Sequence, residues 1–198
     1  LLEALRDGKP VRSLNLSEDE RPLLKMLHLL TAKPVLYVCN VAEQHAQGGN
    51  DKSAAVAQLA AAEGAEAVVI SAAIEAEIAA LGDAEEKRAF LEDLGLETAG
   101  LERVIHVGHR LLGLIRFLTA GPKEARAWTL RKGANAREAA GNIHSDMARG
   151  FICAETIAFE DFVASGGEAG AKATGKMRQE GADYTVKDGD VILFRFNV

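Results

Sequence analysis

The sequence predicts an α/β fold in two parts: a short parallel sheet with helices, then a smaller α+β roll of β-grasp type. Three observations predict it. Two short, continuously apolar runs, residues 35–39 and 67–70, flank an Ala-rich helical stretch, which is the order of one βαβ unit. Gly121-Pro122 then punctuates the chain as a linker. Beyond it, strand, helix, strand, loop and strand follow in so short a stretch that they suggest a β-grasp roll.

Taken in order, Leu1, Leu2 and Leu5 read as the end of a helix, closed by Gly8 and Pro10. Ser17 and Glu20 have capping-box spacing, and Leu23, Leu24, Leu27 and Leu30 follow at helical intervals, with Pro22 late for a first turn. The first buried strand, 35–39, is expected to be covered on both faces. A polar loop at 47–50 leads into a helix over 51–63, stopped by Gly64. The second strand, 67–70, ends at Ser71. Asp83 caps a helix, with Glu86 in the reciprocal position and Phe90, Leu91 and Leu94 turned inward. Leu101, Val104, Ile105, Leu111, Leu112 and Ile115 predict one further helix from about 101 to 118. In the second part, 125–131 alternates as a strand, 135–147 is helical, and 151–159 is a strand. Asp188-Gly189 turns into a last strand over 191–196.

Composition describes an ordinary globular chain of 198 residues with a formal net charge of −6. Residues 1–118 carry 12 Lys+Arg against 18 Asp+Glu, a balance of −6, and residues 119–198 carry 11 of each, a balance of zero. An acidic first part argues against a broad electrostatic grip on nucleic acid there, while the second part could hold a local basic patch. No apolar run is long enough to span a membrane as a helix. Cys39 and Cys153 stand alone, without a CxxC partner, and read as reduced thiols, Cys39 as a small core residue.

The chemistry concentrates at strand ends, where open α/β sheets bind ligands. Asn40-Val41-Ala42-Glu43 ends the first strand. An Asn side chain offers a donor and an acceptor, which suits a purine edge. In GTPases the corresponding motif is Asn-Lys-x-Asp, whose short carboxylate accepts two guanine N–H bonds. Here Val41 replaces the Lys and Glu43, one methylene longer, replaces the Asp. Guanine selectivity is therefore expected to loosen, with adenine accepted or preferred. Ser71-Ala72-Ala73 ends the second strand as a small-residue loop that lets backbone approach the base. The base-binding set is thus Asn40, Val41, Glu43, Ser71, Ala72 and Ala73.

Further along, Arg126, Trp128, Arg131 and Lys132 form a candidate RNA or ribosome contact; the alternative is a half-buried Trp among solvated strand edges. The run Gly170-Ala-Lys-Ala-Thr-Gly-Lys176-Met177 nearly spells a phosphate-binding loop, but Met stands where a hydroxyl must meet Mg²⁺ and no buried strand precedes it. His106 and His109 lie three apart with no third ligand at suitable spacing, so no metal site is expected.

Long literal runs bring these features together. Leu30-Thr-Ala-Lys-Pro-Val-Leu-Tyr-Val38, the Asn-Val-Ala-Glu motif, Thr119-Ala-Gly-Pro-Lys123, Arg126-Ala-Trp128 and Ala139-Ala-Gly-x-Ile-His144 are five of them. Gly166-Gly-Glu-Ala-Gly-Ala-Lys172 and the ending from Asp188-Gly-Asp190 to Arg195-Phe-Asn-Val198 complete the set. With them the chain closely resembles the YchF/Obg-like ATPase family over essentially its whole length.

The resemblance implies the C-terminal half of such a protein: the end of a helical insertion and a connecting helix over 1–33, the C-terminal part of an Obg-like P-loop nucleotide domain over 34–118, and a TGS domain over 119–198. It implies cytoplasmic proteins that associate with ribosomes and hydrolyse ATP, also GTP, with Mg²⁺. It places Asn40 and Glu43 on the altered specificity motif and Val41 where backbone contacts adenine. The phosphate loop, Mg²⁺-binding switches and catalytic residue belong to the other half, so no catalytic residue, cofactor or hydrolysis is expected of this piece alone. The rival reading is a non-catalytic ribosome- or RNA-binding module acting through the TGS domain. An unpaired sheet edge and exposed apolar surface are expected to favour self-association.

Overall fold

The computed structural model describes residues 1–121 and 124–197, and the chain divides into two units, Leu1–Leu112 and Gly113–Val198. Pro122 and Lys123 of the expected linker, and Val198 of the terminal run, lie outside the described residues.

In the first unit, helices α1 (Leu2–Arg6) and α2 (Glu20–Met26) precede strand β1 (Leu36–Asn40). Helix α3 (Asp51–Glu63) and strand β2 (Glu66–Ile70) complete the βαβ unit, followed by α4 (Ala72–Ala80), α5 (Ala84–Asp93) and α6 (Gly100–Leu111). β1 and β2 pair in parallel from Leu36↔Glu66 to Asn40↔Ile70. α3 follows local chemistry: the Asn50 side chain accepts from the Ser53 N–H, Ser53 Oγ takes the Asn50 N–H, and Gly64 closes the helix at φ 66°. Ala46, Ile74, Ile78, Leu96 and Ala99 make this unit's core, with Phe90 and Leu91 packed against it.

Three expectations change here. β1 is not covered on both faces: it has one neighbour among the described residues, and Val38 stays 47% exposed. Cys39 is accordingly only half-buried. Helix α2 ends at Met26, before Leu27 and Leu30, because His28 adopts a left-handed φ of 48°. Pro22 is tolerated as its third residue, where the N–H has no intrahelical partner.

The second unit is a five-stranded mixed sheet in the order β4-β3-β7-β5-β6. Its strands are β3 (Leu114–Ala120), β4 (Ala125–Arg131), β5 (Phe151–Ala158), β6 (Arg178–Glu180) and β7 (Asp190–Phe196). Helices α7 (Ala136–Ile143) and α8 (Ser145–Arg149) precede β5, and α9 (Phe159–Ala164) and α10 (Glu168–Ala173) follow it. β3 and β4 form an antiparallel hairpin, Leu114↔Arg131 to Ala120↔Ala125, while β7 lies parallel to β3 and antiparallel to β5. α7 lays Ala136, Ala139 and Ala140 on one sheet face, where methyl groups allow close approach to Ile115, Phe117, Leu130, Ile192 and Phe194.

The helix expected over 101–118 is half strand. α6 ends at Leu111, Gly113 turns the chain at φ 62°, and β3 alternates with Ile115 and Phe117 buried. The boundary between units therefore falls after Leu112, not after Leu118. The single helix expected over 135–147 breaks at His144, whose extended backbone (φ −158°, ψ 140°) separates α7 from α8 and lets its imidazole cap the latter. Phe159 begins α9 rather than ending β5.

Candidate functional site

The two strand-end motifs meet because β1 and β2 run parallel and end side by side, Asn40 opposite Ile70. The Val41 N–H continues the ladder by donating to the Ile70 carbonyl at 2.9 Å, the Val41 side chain is buried, and its own carbonyl has no hydrogen-bond donor among the described residues. A 3-10 turn over Glu43–His45 then carries the Glu43 carboxylate into solvent.

Asn40 has a defined orientation. Its Oδ1 accepts the Ala72 N–H at 2.9 Å, satisfying the first amide of α4 and tying the end of β1 to the start of that helix. With the acceptor so engaged, the amide presents Nδ2 as a donor. One lone pair of Oδ1 is thus committed to the protein, while Nδ2 has no partner among the described residues. Ser71-Ala72-Ala73 is likewise not a loop: Ala72 and Ala73 are the exposed first turn of α4, and Ser71 is its buried N-cap. Ser71 Oγ is buried with no hydrogen-bond partner among the described residues.

One contributor escaped sequence reading. Glu75, in α4, accepts the N–H groups of Gly100 at 2.6 Å and Leu101 at 3.0 Å, and so caps α6. Its partners lie 25 residues away, and no local pattern signals the pairing. Gly100 makes it possible: a Cβ there would stand 2.8 Å from Glu75 Oε1 and 3.0 Å from Ile70 Cγ2.

In the second unit, Arg126 and Trp128 share one sheet face, the guanidinium lying 4.1 Å from the ring centroid. The indole Nε1–H donates to Thr119 Oγ1 at 3.0 Å and the ring packs beside Phe117. Arg131, an odd position on the same strand, faces the other way, and Lys132 lies in the following turn. The structure thus brings together two of the four candidate contact residues.

Asp188 and Asp190 have structural work. Asp188 Oδ1 accepts the Arg116 N–H at 2.7 Å, and Asp190, 3% exposed, accepts the Tyr184 hydroxyl at 2.8 Å and the Lys187 N–H at 2.9 Å. Burial first, then the bond to Asp190 and its charge, push the Tyr184 hydroxyl up to about 12. The Gly170–Met177 run falls in α10 and the turn after it, and α9, not a strand, precedes it. Among the described residues no group of three or more His, Cys, Asp or Glu is placed to hold a metal, and His106 and His109 gain no third ligand.

The family model described as YchF-GTPase_C, "Protein of unknown function (DUF933)", matches residues 114–197. The "Ribosome-binding ATPase YchF" of Bacillus subtilis (strain 168) is 53% identical over 200 residues, covering 100% of this chain and 54% of that protein. The protein of the same name from Escherichia coli O157:H7 is 50% identical, with the same coverage. The chain thus spans about half the length of the curated relatives it matches. Among solved structures, the YchF GTPase of Schizosaccharomyces pombe superposes with a TM-score of 0.82 at 29% identity, covering 96% of this chain and 50% of that one. A GTP-binding protein from Pyrococcus horikoshii OT3 shares the fold, with a TM-score of 0.56 at 21% identity over 83% of this chain and 46% of that one.

Proposed function

The chain belongs to the YchF/Obg-like family, and on that premise we propose that it supplies the base-reading part of a purine-nucleotide-hydrolysing protein that works on the ribosome in the cytoplasm. The carrying observation is the Asn40–Ala72 bond at the joint ends of two parallel strands. It fixes the Asn40 amide with Nδ2 outward, as a ready donor to N7 of a purine ring. N7 is common to adenine and guanine, so this contact holds either base and selects neither.

Selection falls to two other groups. The free Val41 carbonyl is an acceptor and suits the N6 amino group of adenine, whereas it would face the O6 acceptor of guanine. Glu43 is one methylene too long for the paired bonds that a fixed aspartate makes to N1–H and N2–H₂ of guanine. Both favour ATP over GTP and leave GTP usable. The phosphates, Mg²⁺ and the attacking water are handled, on this reading, by the half of the relatives that this chain does not match. The first unit is then the C-terminal part of a P-loop nucleotide domain, and the mixed sheet of the second a β-grasp TGS domain that joins the ribosome.

A chimera tests the selection. This chain is joined to the half of the Bacillus subtilis relative that it does not align with, and ATP and GTP binding are compared by calorimetry before and after Glu43→Asp. The substitution is expected to move the GTP-to-ATP affinity ratio upward by about tenfold, the worth of one well-placed charge-assisted bond. An unchanged ratio would refute the assignment of Glu43.

A further inference from the structure

The edge of the second unit's sheet is built to accept one more strand. β4 is the outermost strand on its side of the sheet. Across from Thr129 lies Arg116, whose N–H donates to Asp188 and whose carbonyl accepts from the Gly189 N–H, both away from β4. In an antiparallel pair the facing residue must then direct its own N–H and carbonyl outward. By the two-residue period Ala125 and Ala127 do the same. Asn142 Nδ2 already occupies the Thr129 carbonyl at 2.6 Å, which closes one end of the edge. Among the described residues, the N–H and carbonyl groups of Ala125 and Ala127, with the Thr129 N–H, remain for a ladder.

The surroundings specify what that strand carries. On the face away from α7, a groove of about 250 Å³ beside Ala125 and Ala127 is lined by Leu118, Val191, Phe159 and Phe162. Phe159 is 47% exposed there. On the α7 face the Arg126 guanidinium stands over Trp128. From Ala125 to Lys132 the chain has three cations, Arg126, Arg131 and Lys132, and no anion. Small alanines at the outward positions leave room for a neighbour's side chains.

We propose that β4 binds an extended peptide segment of a partner protein by strand addition. Main-chain bonds go to Ala125 and Ala127, alternate apolar side chains enter the Phe159–Phe162 groove, and carboxylates between them meet Arg126. A peptide fits better than RNA, because the Trp128 face on which a base would stack is already covered by Arg126.

The experiment uses the 198-residue chain and the capped hexapeptide Val-Glu-Val-Glu-Val-Glu, followed by amide NMR shifts and hydrogen exchange. Shifts and slowed exchange are expected at Ala125, Ala127 and Thr129, with the Val-Lys counterpart binding at least tenfold more weakly. Ala127→Pro removes an outward N–H without touching the β3–β4 ladder, and is expected to abolish binding with the melting temperature of the unit retained. Arg126→Glu, a surface change, is expected to invert the preference between the two peptides. Absence of binding at millimolar peptide, equal binding by Ala127→Pro, or perturbations elsewhere overturn the proposal. So do displacement of the peptide by a ten-residue oligouridylate at the same amides, which would assign the edge to RNA, and the same protection in peptide-free protein at high concentration, which would assign it to a second copy of the chain.

Discussion

At the scale of single residues, the side chains that matter are those whose hydrogen-bonding capacity is already partly spent. Asn40 lends its acceptor to Ala72 and keeps its donor, and Val41 does the reverse with its backbone groups. Sequence spacing shows that an Asn stands at a strand end; which half of its amide is free depends on where α4 begins. Glu75 is less legible still, since its work is done on residues 100 and 101. Tyr184 yields a pH dependence. Its folded-state value is raised to about 12 from an ordinary 10. Between those values the unfolded chain has lost the phenolic proton while the folded chain still holds it, so stability falls as pH rises. The contribution is complete below about pH 10 and gone once pH passes about 12. Urea melts of the wild type are expected to lose midpoint steadily over that window, and Tyr184→Phe to flatten the loss. A Tyr184→Phe profile parallel to the wild type would contradict the assignment.

At the scale of elements, caps and the two short apolar runs of β1 and β2 were readable, whereas the apolar stretch that spans α6 and β3 was not. The Asn50 box and Gly64 delimit α3 because caps and left-handed glycines act within a few residues. β4 matches its alternation from Ala125 to Arg131. The stretch from Leu111 to Leu118 misleads because its apolar residues satisfy the helical and the strand period together, and only Gly113 marks the change. Ala72–Ala80 reads as a loop only if Ser71-Ala-Ala is taken alone; the alanines that follow make it a helix. The junction of α4 and α6 carries its own prediction. Gly100→Ala forces Glu75 aside, at the cost of two amide bonds, and presses on Ile70. A loss of about 1–3 kcal/mol in unfolding free energy is expected from denaturant titration. An unchanged midpoint would show that Glu75 re-seats without strain.

At the scale of the whole molecule, the chain divides into two units, one in which two parallel strands end side by side at Asn40 and Ile70, the other a mixed sheet in which β4 is an edge strand among the described residues. Family membership was legible from literal runs of sequence, whereas the open edge became visible only once Arg116 was seen to turn its backbone toward Asp188 and Gly189. The central claim is that the Asn40 donor holds the purine. Asn40→Asp tests it most directly, because a carboxylate oxygen still accepts the Ala72 N–H while the group facing N7 becomes an acceptor. The measurement is calorimetric affinity for ATP and GTP in the chimera, alongside its melting temperature. Both affinities are expected to fall by about tenfold or more while the melting temperature holds. Unchanged affinity for both nucleotides would contradict it and leave Asn40 as no more than the tie between β1 and α4.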